Sequence, residues 1–405
     1  MKFPQIGPAF LVTAAFIGPG TVITASLAGA NYGYALLWAL LFSTVATMVL
    51  QEMSARLGII TQQGLGENIR SQLSNPFARS LGVLLVVSAI VIGNAAYQGG
   101  NISAAGLGVS AIVPSLPANI WPFLIGVMAF LLLWTGSYKV IEKTLITLVA
   151  LMSFAFVITM IMTKPDIVSL ITGLLTPKIP AGATLTVIAL IGTTVVPYNL
   201  FLHASTIHEK WKSEKYLPNA RKDLYISVPL GALISMAILS TGATAFFGSQ
   251  VSISSAADLA PSLEPMFGPF SGILMATGLF AAGISSAVTA PLATAYALRG
   301  ILGHSTRSGV SALSDIKFKF IWITILVLGV AVASSGYRPI SIIWFAQVAN
   351  GILLPIITIF LLWIMNTKVL GQYKNSLIQN LLGGAVFLVT LLLSGRSLMS
   401  AFGLL

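Results

Sequence analysis

The sequence predicts an all-α integral membrane protein, and three observations support this fold class. The 405 residues are 56% hydrophobic and only 8% charged, and their mean hydropathy of +0.94 is higher than a water-soluble chain tolerates. Apolar runs of about 20 residues, the length that crosses the hydrocarbon core as a helix, recur along the whole chain. Basic residues collect in alternate connections between these runs. We therefore treat 1–405 as a single transmembrane domain.

Eleven membrane spans are predicted from the apolar runs. They cover 8–30, 34–57, 80–105, 118–135, 143–163, 183–207, 224–247, 268–299, 318–334, 340–365 and 377–394. The first residues lack a basic region followed by a small-residue cleavage site, so we expect the first span to be kept. The chain contains no cysteine, which excludes disulfides, thiolate catalysis and cysteine metal sites.

The distribution of Lys and Arg predicts the orientation in the membrane. With an odd number of spans and a cytoplasmic N terminus, the outside connections hold only Lys164, Lys178, Arg338 and Arg396 of the 21 basic residues. The remaining 17 fall on the cytoplasmic side, as basic residues do in membrane proteins. We therefore predict a multi-pass protein of the cell membrane, with its N terminus cytoplasmic and its C terminus outside.

Two spans are interrupted at corresponding places. The first span contains Gly-Pro-Gly at 18–20, and the sixth contains GTTVVPYN at 192–199. Paired interruptions in two halves are typical of transporters built from inverted repeats, in which the substrate lies between the broken helices. We assign the repeats to 8–163 and 183–365, with an additional helix at 377–394. A pair of proline kinks without function is the simpler alternative.

Other classes of protein receive little support. The basic residues lie on many separate loops without interleaved aromatic residues, so the net charge of +11 does not indicate nucleic-acid binding. Acidic lipid head groups are the expected partner of these residues. No nucleophile, base and acid are grouped together, so we expect no enzyme activity, and no cofactor is predicted. The short loops argue against a sensor or scaffold, and we expect a monomer.

Four segments resemble the Nramp family of divalent metal transporters. These segments are QEMSARLGIITQQGLGENIR at 51–70, VVPYNLFLHAST at 195–206, GLFAAGISSAVTAPLATAYALRG at 278–300 and AQVANGILLP at 346–355. The resemblance covers nearly the whole chain in the right order. It implies the LeuT-type fold, with two inverted five-helix repeats, broken first and sixth helices and an eleventh helix. It also implies proton-linked import of manganese or iron through a site between the two broken helices.

The metal site of that family is only partly present in this sequence. The family's DPGN reads GPGT, which leaves Gly18 in place of the aspartate and Thr21 in place of the asparagine. In the sixth span, Val196 stands where the family has methionine and Tyr198 where it has a histidine. The resemblance still implies backbone carbonyl ligands at Ala15 and Thr193, and a side-chain ligand at Gln347 with Asn350 nearby. A metal would therefore meet Gly18, Thr21, Thr193 and Gln347, mostly as carbonyl oxygens.

The third span also departs from the family. Val87 and Ile90 occupy the positions at which acidic residues would transfer protons, and the ninth span contains no arginine. Instead Asn94, Gln98 and Asn101 form one neutral stripe along the helix, with Tyr97 beside it. Such a stripe joins neighbouring helices by hydrogen bonds or lines a pathway for a bulkier ligand.

Three further groups of residues carry separate predictions. His203 matches the second histidine of the family's sixth span and lies well inside the membrane, where it is a candidate proton carrier or gate. Ser285, Ser286 and Thr289 in the eighth span are a candidate sodium site by analogy with sodium-coupled relatives of the fold. Glu52 and Arg56 are four residues apart, which predicts an ion pair within one helix.

Two functions remain open on the sequence alone. The first is transport of a divalent cation at an altered site. This site disfavours manganese and iron because no soft or anionic ligand remains, and it suits a largely hydrated ion such as magnesium. The second is transport of a small anionic or zwitterionic solute such as an amino acid, because a glycine-rich break offers N–H groups and the positive end of a helix dipole.

Overall fold

A computed structural model describes residues 18–135, 139–249, 253–303 and 315–401 of this chain. Within these ranges the regular structure is entirely helical. The α-helices are α1 Pro19–Tyr32, α2 Leu37–Thr61, α3 Leu65–Gln72, α4 Pro76–Ile112, α5 Trp121–Thr135, α6 Lys139–Met162, α7 Ile167–Leu175, α8 Thr184–Thr194, α9 Pro197–Lys210, α10 Leu217–Phe246, α11 Ala256–Leu259, α12 Glu264–Phe267, α13 Ser271–Leu302, α14 Ile316–Ala333, α15 Pro339–Ile364 and α16 Leu377–Ala401.

The predicted spans correspond to these helices. In the described part of the chain, 10 helical segments are long and apolar enough to cross a membrane, and they match the second to the eleventh predicted span. The first span is described only from Gly18 onward, where α1 forms its second half. Residues 8–17 of that prediction, and with them Ala15, lie outside the described residues.

The third span is longer than the sequence predicted. It was expected at 80–105, whereas α4 has 37 residues. Its start is set by Asn75, whose side chain accepts hydrogen bonds from Phe77 N at 2.9 Å and Ala78 N at 3.2 Å, and by Pro76 at the first helical position. This long helix packs extensively against α13 and α15.

Each break contains fewer of the described residues than predicted. Gly18 is extended, with φ −102° and ψ −175°, but Pro19 and Gly20 already belong to α1. The Gly18 carbonyl accepts hydrogen bonds from Thr21 N at 3.1 Å and Val22 N at 3.3 Å, so the helix itself uses the carbonyl that we expected to be open to a substrate. In the sixth span only Val195 and Val196 separate α8 from α9.

Each half-helix after a break begins with proline. Pro19 opens α1 and Pro197 opens α9, each at the first helical position, where the missing N–H removes no hydrogen bond. Neither preceding residue, Gly18 or Val196, caps its helix with a side-chain hydrogen bond. Two uncapped helix N-termini therefore lie at the breaks.

Small residues bring the helices close enough for backbone contact. A Cβ atom on Gly29 of α1 would lie 2.1 Å from Leu239 O of α10, and one on Gly283 of α13 would lie 2.5 Å from Ala105 N of α4. Glycine is needed at both positions because any side chain would force the helices apart. The outer face carries exposed apolar residues instead, such as Leu84, Phe154 and Leu392, as expected of a surface that faces lipid.

Candidate substrate site between the two helix breaks

Gln347 of α15 contacts both broken helices. A Cβ atom on Gly20 of α1 would lie 2.3 Å from Gln347 Nε2, and one on Gly192 of α8 would lie 2.0 Å from the Gln347 backbone oxygen. The side chain is 1% exposed. Its Nε2 donates to Ile343 O at 3.4 Å, whereas its Oε1 has no hydrogen-bond partner. The breaks therefore enclose a buried carbonyl oxygen that is free to accept a ligand.

A hydroxyl pair joins the two broken helices beside this glutamine. Thr21 Oγ1 and Thr193 Oγ1 lie 2.8 Å apart, although the residues are 172 positions apart in sequence. Both threonines are buried. One sits in the first turn of α1 and the other in the last turn of α8, so this bond holds the two breaks at the same depth. Sequence reasoning selected both threonines, and the structure brings them together with Gln347.

The opposite side of the second break is aromatic and apolar. Val196 and Tyr198 pack with Tyr97 of α4 and with Ala290 and Ala293 of α13 in one buried cluster. The rings of Tyr97 and Tyr198 are 5.5 Å apart and tilted by 57°. This wall supplies two phenol groups but no charge.

Two buried asparagines near the breaks have unpaired amide atoms. Asn350, which the sequence analysis selected, has no partner for Nδ2, and its Oδ1 faces Gly93 of α4. Asn199, which it did not select, is 1% exposed and has no partner for either Nδ2 or Oδ1. An amide two residues after Pro197, inside an apolar run, is the sequence signal that could have identified it.

His203 lies one turn further along α9. Its Nδ1 is 2.7 Å from Gln51 Oε1 of α2, and its Nε2 has no partner. The side chain is 1% exposed. The position inside a span agrees with the prediction, and Gln51 is the contact that the sequence did not indicate.

The neutral stripe of α4 bonds to the neighbouring helix. Asn94 Nδ2 donates to Thr294 Oγ1 at 2.6 Å, and Gln98 Nε2 donates to Ala287 O at 2.9 Å, with both acceptors on α13. Asn101 Nδ2 lies 3.5 Å from Gln98 Oε1. These bonds are of the kind that joins helices, which is one of the two roles proposed for the stripe.

One of the candidate sodium residues reaches the aromatic cluster, because Ser286 is a side-chain hydrogen-bond partner of Tyr97. Ser285, Ser286 and Thr289 are half-buried on α13. Thr289 Oγ1 donates to Ser285 O at 2.8 Å within its own helix. The sodium site stays a prediction from the sequence.

Charge is concentrated at one end of the bundle and not at the breaks. The predicted pair of Glu52 and Arg56 forms, with 3.1 Å between Glu52 Oε2 and Arg56 Nη2, but it belongs to a larger network that includes Arg221 of α10 at 2.8 Å. Arg56 Nη1 also donates to Tyr373 O, and its Nη2 to Asn375 Oδ1, each at 2.7 Å. Among the described residues, no three His, Cys, Asp or Glu side chains group together as a metal site would require.

Comparison with known proteins places the chain in a well-defined group. A family model described as Nramp, natural resistance-associated macrophage protein-like, matches residues 9–400. The chain is 27% identical over 409 residues to the divalent metal cation transporter MntH of Erwinia tasmaniensis, covering 99% of this chain and 95% of that protein. A crystal structure of the Eremococcus coleocola manganese transporter aligns with a TM-score of 0.76 at 21% identity, over 98% of this chain and 86% of the other.

A more distant structural likeness extends to carriers of other solutes. MhsT, in a crystal structure with L-phenylalanine, aligns with a TM-score of 0.64 at 16% identity, over 98% of each chain. These neighbours share the LeuT-type fold of inverted five-helix repeats with broken first and sixth helices.

Proposed function

Because this chain belongs to the Nramp family, we propose that it is a membrane transporter that moves a divalent metal cation by alternating access. One observation carries this proposal. The unpaired Oε1 of Gln347 is buried between α1 and α8, next to the bridge between Thr21 and Thr193. Oxygen atoms held between two broken helices are the ligands that hard cations prefer.

The selectivity of this site among divalent ions follows from the ligands that it lacks. Gly18 provides no side chain where the family resemblance implies an aspartate, and Val196 provides no sulfur. Neutral oxygens replace the hydration shell of a divalent ion poorly, so the ion retains much of its water. Softer nitrogen or sulfur ligands, which favour manganese and iron, are absent from the central site. We therefore propose a largely hydrated ion such as magnesium as the cargo, with manganese and iron disfavoured.

A second candidate function rests on the helix ends. The N-termini of α1 and α9 meet the breaks without a side-chain cap from the preceding residue, and the first turn of each helix contains no acidic residue. Positive dipole ends of this kind attract a carboxylate group. Transport of a small anionic or zwitterionic solute such as an amino acid is therefore the alternative.

Uptake by proteoliposomes tests the choice between the two candidates. Purified protein would be supplied with magnesium, manganese and calcium, and separately with a panel of amino acids, with and without ion gradients. Saturable uptake of a divalent ion supports the proposal. Uptake of an amino acid without any uptake of divalent ions would refute it.

The variant Gly18→Asp separates the candidates at the site itself. A carboxylate beside Thr21 adds a hard anionic ligand, so divalent cations should bind more tightly, and manganese should gain more than magnesium because it gives up water more readily. A solute with its own carboxylate would instead meet a like charge in a poorly solvated place, at a cost of roughly several kcal/mol. Isothermal titration of wild type and variant measures both effects. Unchanged binding in a folded variant would show that the first break does not hold the substrate.

A further inference from the structure

A buried polar seam runs along α2, from the end of α8 across the second break to α9. Thr47 Oγ1 donates to Thr194 O at 3.5 Å, Gln51 faces His203, and Ser54 Oγ donates to Leu200 O. Ser54 of α2 contacts Leu200 O and Gly58 lies against Ala204 O, so residue numbers rise together in these two contacts and α2 and α9 pack in parallel. The seam therefore leads from the second break toward the end of the bundle that holds Glu52 and Arg56, which is predicted to be cytoplasmic.

The contact with Gln51 fixes which nitrogen of His203 carries the proton. Gln51 Oε1 can only accept a hydrogen bond, so His203 Nδ1, 2.7 Å away, donates its proton to it. In a neutral imidazole the other nitrogen, Nε2, then presents a lone pair. This Nε2 is buried and has no partner. An imidazole oriented by a hydrogen bond from one nitrogen, with the other nitrogen free, has the arrangement seen in metal-binding histidines.

Asn199 adds an oxygen on the same face of α9. It precedes His203 by four residues, so the two side chains lie one above the other. Neither Oδ1 nor Nδ2 of Asn199 has a partner, although the residue is 1% exposed. Leaving buried polar atoms unpaired is unfavourable, and three such atoms on neighbouring turns indicate that a water or an ion belongs there.

We propose that Asn199 Oδ1 and His203 Nε2 form a second divalent-cation site, which a cation occupies after it leaves the central site. This inference rests on the proposed function. One nitrogen and one oxygen leave most coordination positions to water, as suits the largely hydrated cargo proposed above, and Mn²⁺ is its paramagnetic probe. The second site thus offers the nitrogen ligand that the central site lacks.

The dipole of α9 affects the two proposed ligands differently. The positive end of the helix dipole lies at Pro197, and its influence falls off within the first turn. Asn199 belongs to this first turn, whereas His203 belongs to the second turn, beyond that influence. Both ligands are closed off from solvent in this structure, so a cation reaches them when α2 and α9 separate.

Pulsed EPR of bound Mn²⁺ tests the site directly, because it detects coupling to a coordinating imidazole nitrogen. The chain has three histidines, namely His203, His208 and His304. A variant carrying His208→Ala and His304→Ala keeps His203 as its sole histidine. With ¹⁵N-labelled histidine, this variant should show the same nitrogen coupling as wild type, whereas His203→Ala should lose it.

Two further variants test the roles of the neighbours. Asn199→Asp replaces the amide oxygen by a carboxylate of the same shape and should tighten Mn²⁺ binding by about tenfold. Gln51→Leu removes the acceptor that orients the imidazole and should weaken binding by about tenfold, as loss of such an outer contact does in other metal sites. Bound Mn²⁺ without nitrogen coupling in the variant that retains only His203 would overturn this inference and leave the proposed function intact. Failure of Mn²⁺, Mg²⁺ and Ca²⁺ to bind at all would refute both.

Discussion

Replacing Glu52 with glutamine tests the charge network at one end of the bundle. The carboxylate receives Arg56 Nη2 at 3.1 Å, and Arg221 Nε and Nη2 at 3.0 and 2.8 Å. Its side chain is 6% exposed and that of Arg56 is 2% exposed. Glutamine keeps the shape and one acceptor oxygen but removes the charge. Two guanidinium groups would then face each other without a carboxylate between them.

The size of the effect follows from the burial of each partner. Breaking a buried ion pair by removing one partner destabilises a protein by about 3–5 kcal/mol. Arg56 keeps its bonds to Tyr373 O and Asn375 Oδ1, and the side chain of Arg221 is 39% exposed, so water compensates part of the loss. We therefore expect about 3 kcal/mol for Glu52→Gln. Arg221→Gln should cost about 1 kcal/mol, as for an exposed pair.

The assay is the fraction of protein that stays monodisperse in detergent after heating, measured over a temperature series. Lys222→Gln is the matched control, because it removes one charge from an exposed residue next to Arg221. The expected order of stability is wild type and control, then Arg221→Gln, then Glu52→Gln. If Glu52→Gln were as stable as the control, the network would contribute nothing and the reasoning from burial would be wrong.

Three other predictions concern packing, topology and coupling. Gly192→Ala would place a Cβ atom 2.0 Å from Gln347 O and 2.5 Å from Gly351 N, which are both backbone atoms. The yield or the thermal stability of the folded protein in detergent should therefore fall. The control Gly384→Ala places its Cβ in open space and should match wild type. Tags on both termini, probed with protease in intact cells, should be cut only at the C terminus. Divalent uptake should acidify the liposome lumen little, because no acidic relay exists in the third span; strong acidification that survives His203→Ala would contradict this.

The sequence predicted the breaks because proline is a strong local signal. Pro19 and Pro197 each set a helix start, and the apolar run around them fixed their depth in the membrane. The prediction that Gly20 belongs to the unwound segment was wrong, because Gly20 is helical. Glycine there serves close contact with Gln347 and not flexibility, and a single sequence does not distinguish these two uses.

Most contacts of the candidate site could not be predicted, because they join residues that are far apart in the sequence. The stripe of Asn94 and Gln98 could be read from helical periodicity, but its acceptors on α13 could not. Likewise, the spacing of Glu52 and Arg56 predicted an ion pair, whereas Arg221 joins it from 169 residues away. Asn199 was not selected, although an amide two residues after Pro197 is a sequence signal, and its lack of any partner is visible only in the packed bundle.

The neutral central site proposed above would also determine how transport is driven. A membrane potential acts on the net charge that moves, at about 2.3 kcal/mol per elementary charge per 100 mV. A divalent cation crossing a site without a carboxylate carries both of its charges, so 100 mV, negative inside, supplies about 4.6 kcal/mol without any proton. A zwitterionic solute carries no net charge and gains nothing unless an ion accompanies it. Uptake into liposomes clamped with potassium and valinomycin should therefore rise steeply with the imposed potential. Saturable divalent uptake that is indifferent to the potential would mean that a compensating charge moves through residues to which the structure gives no such role.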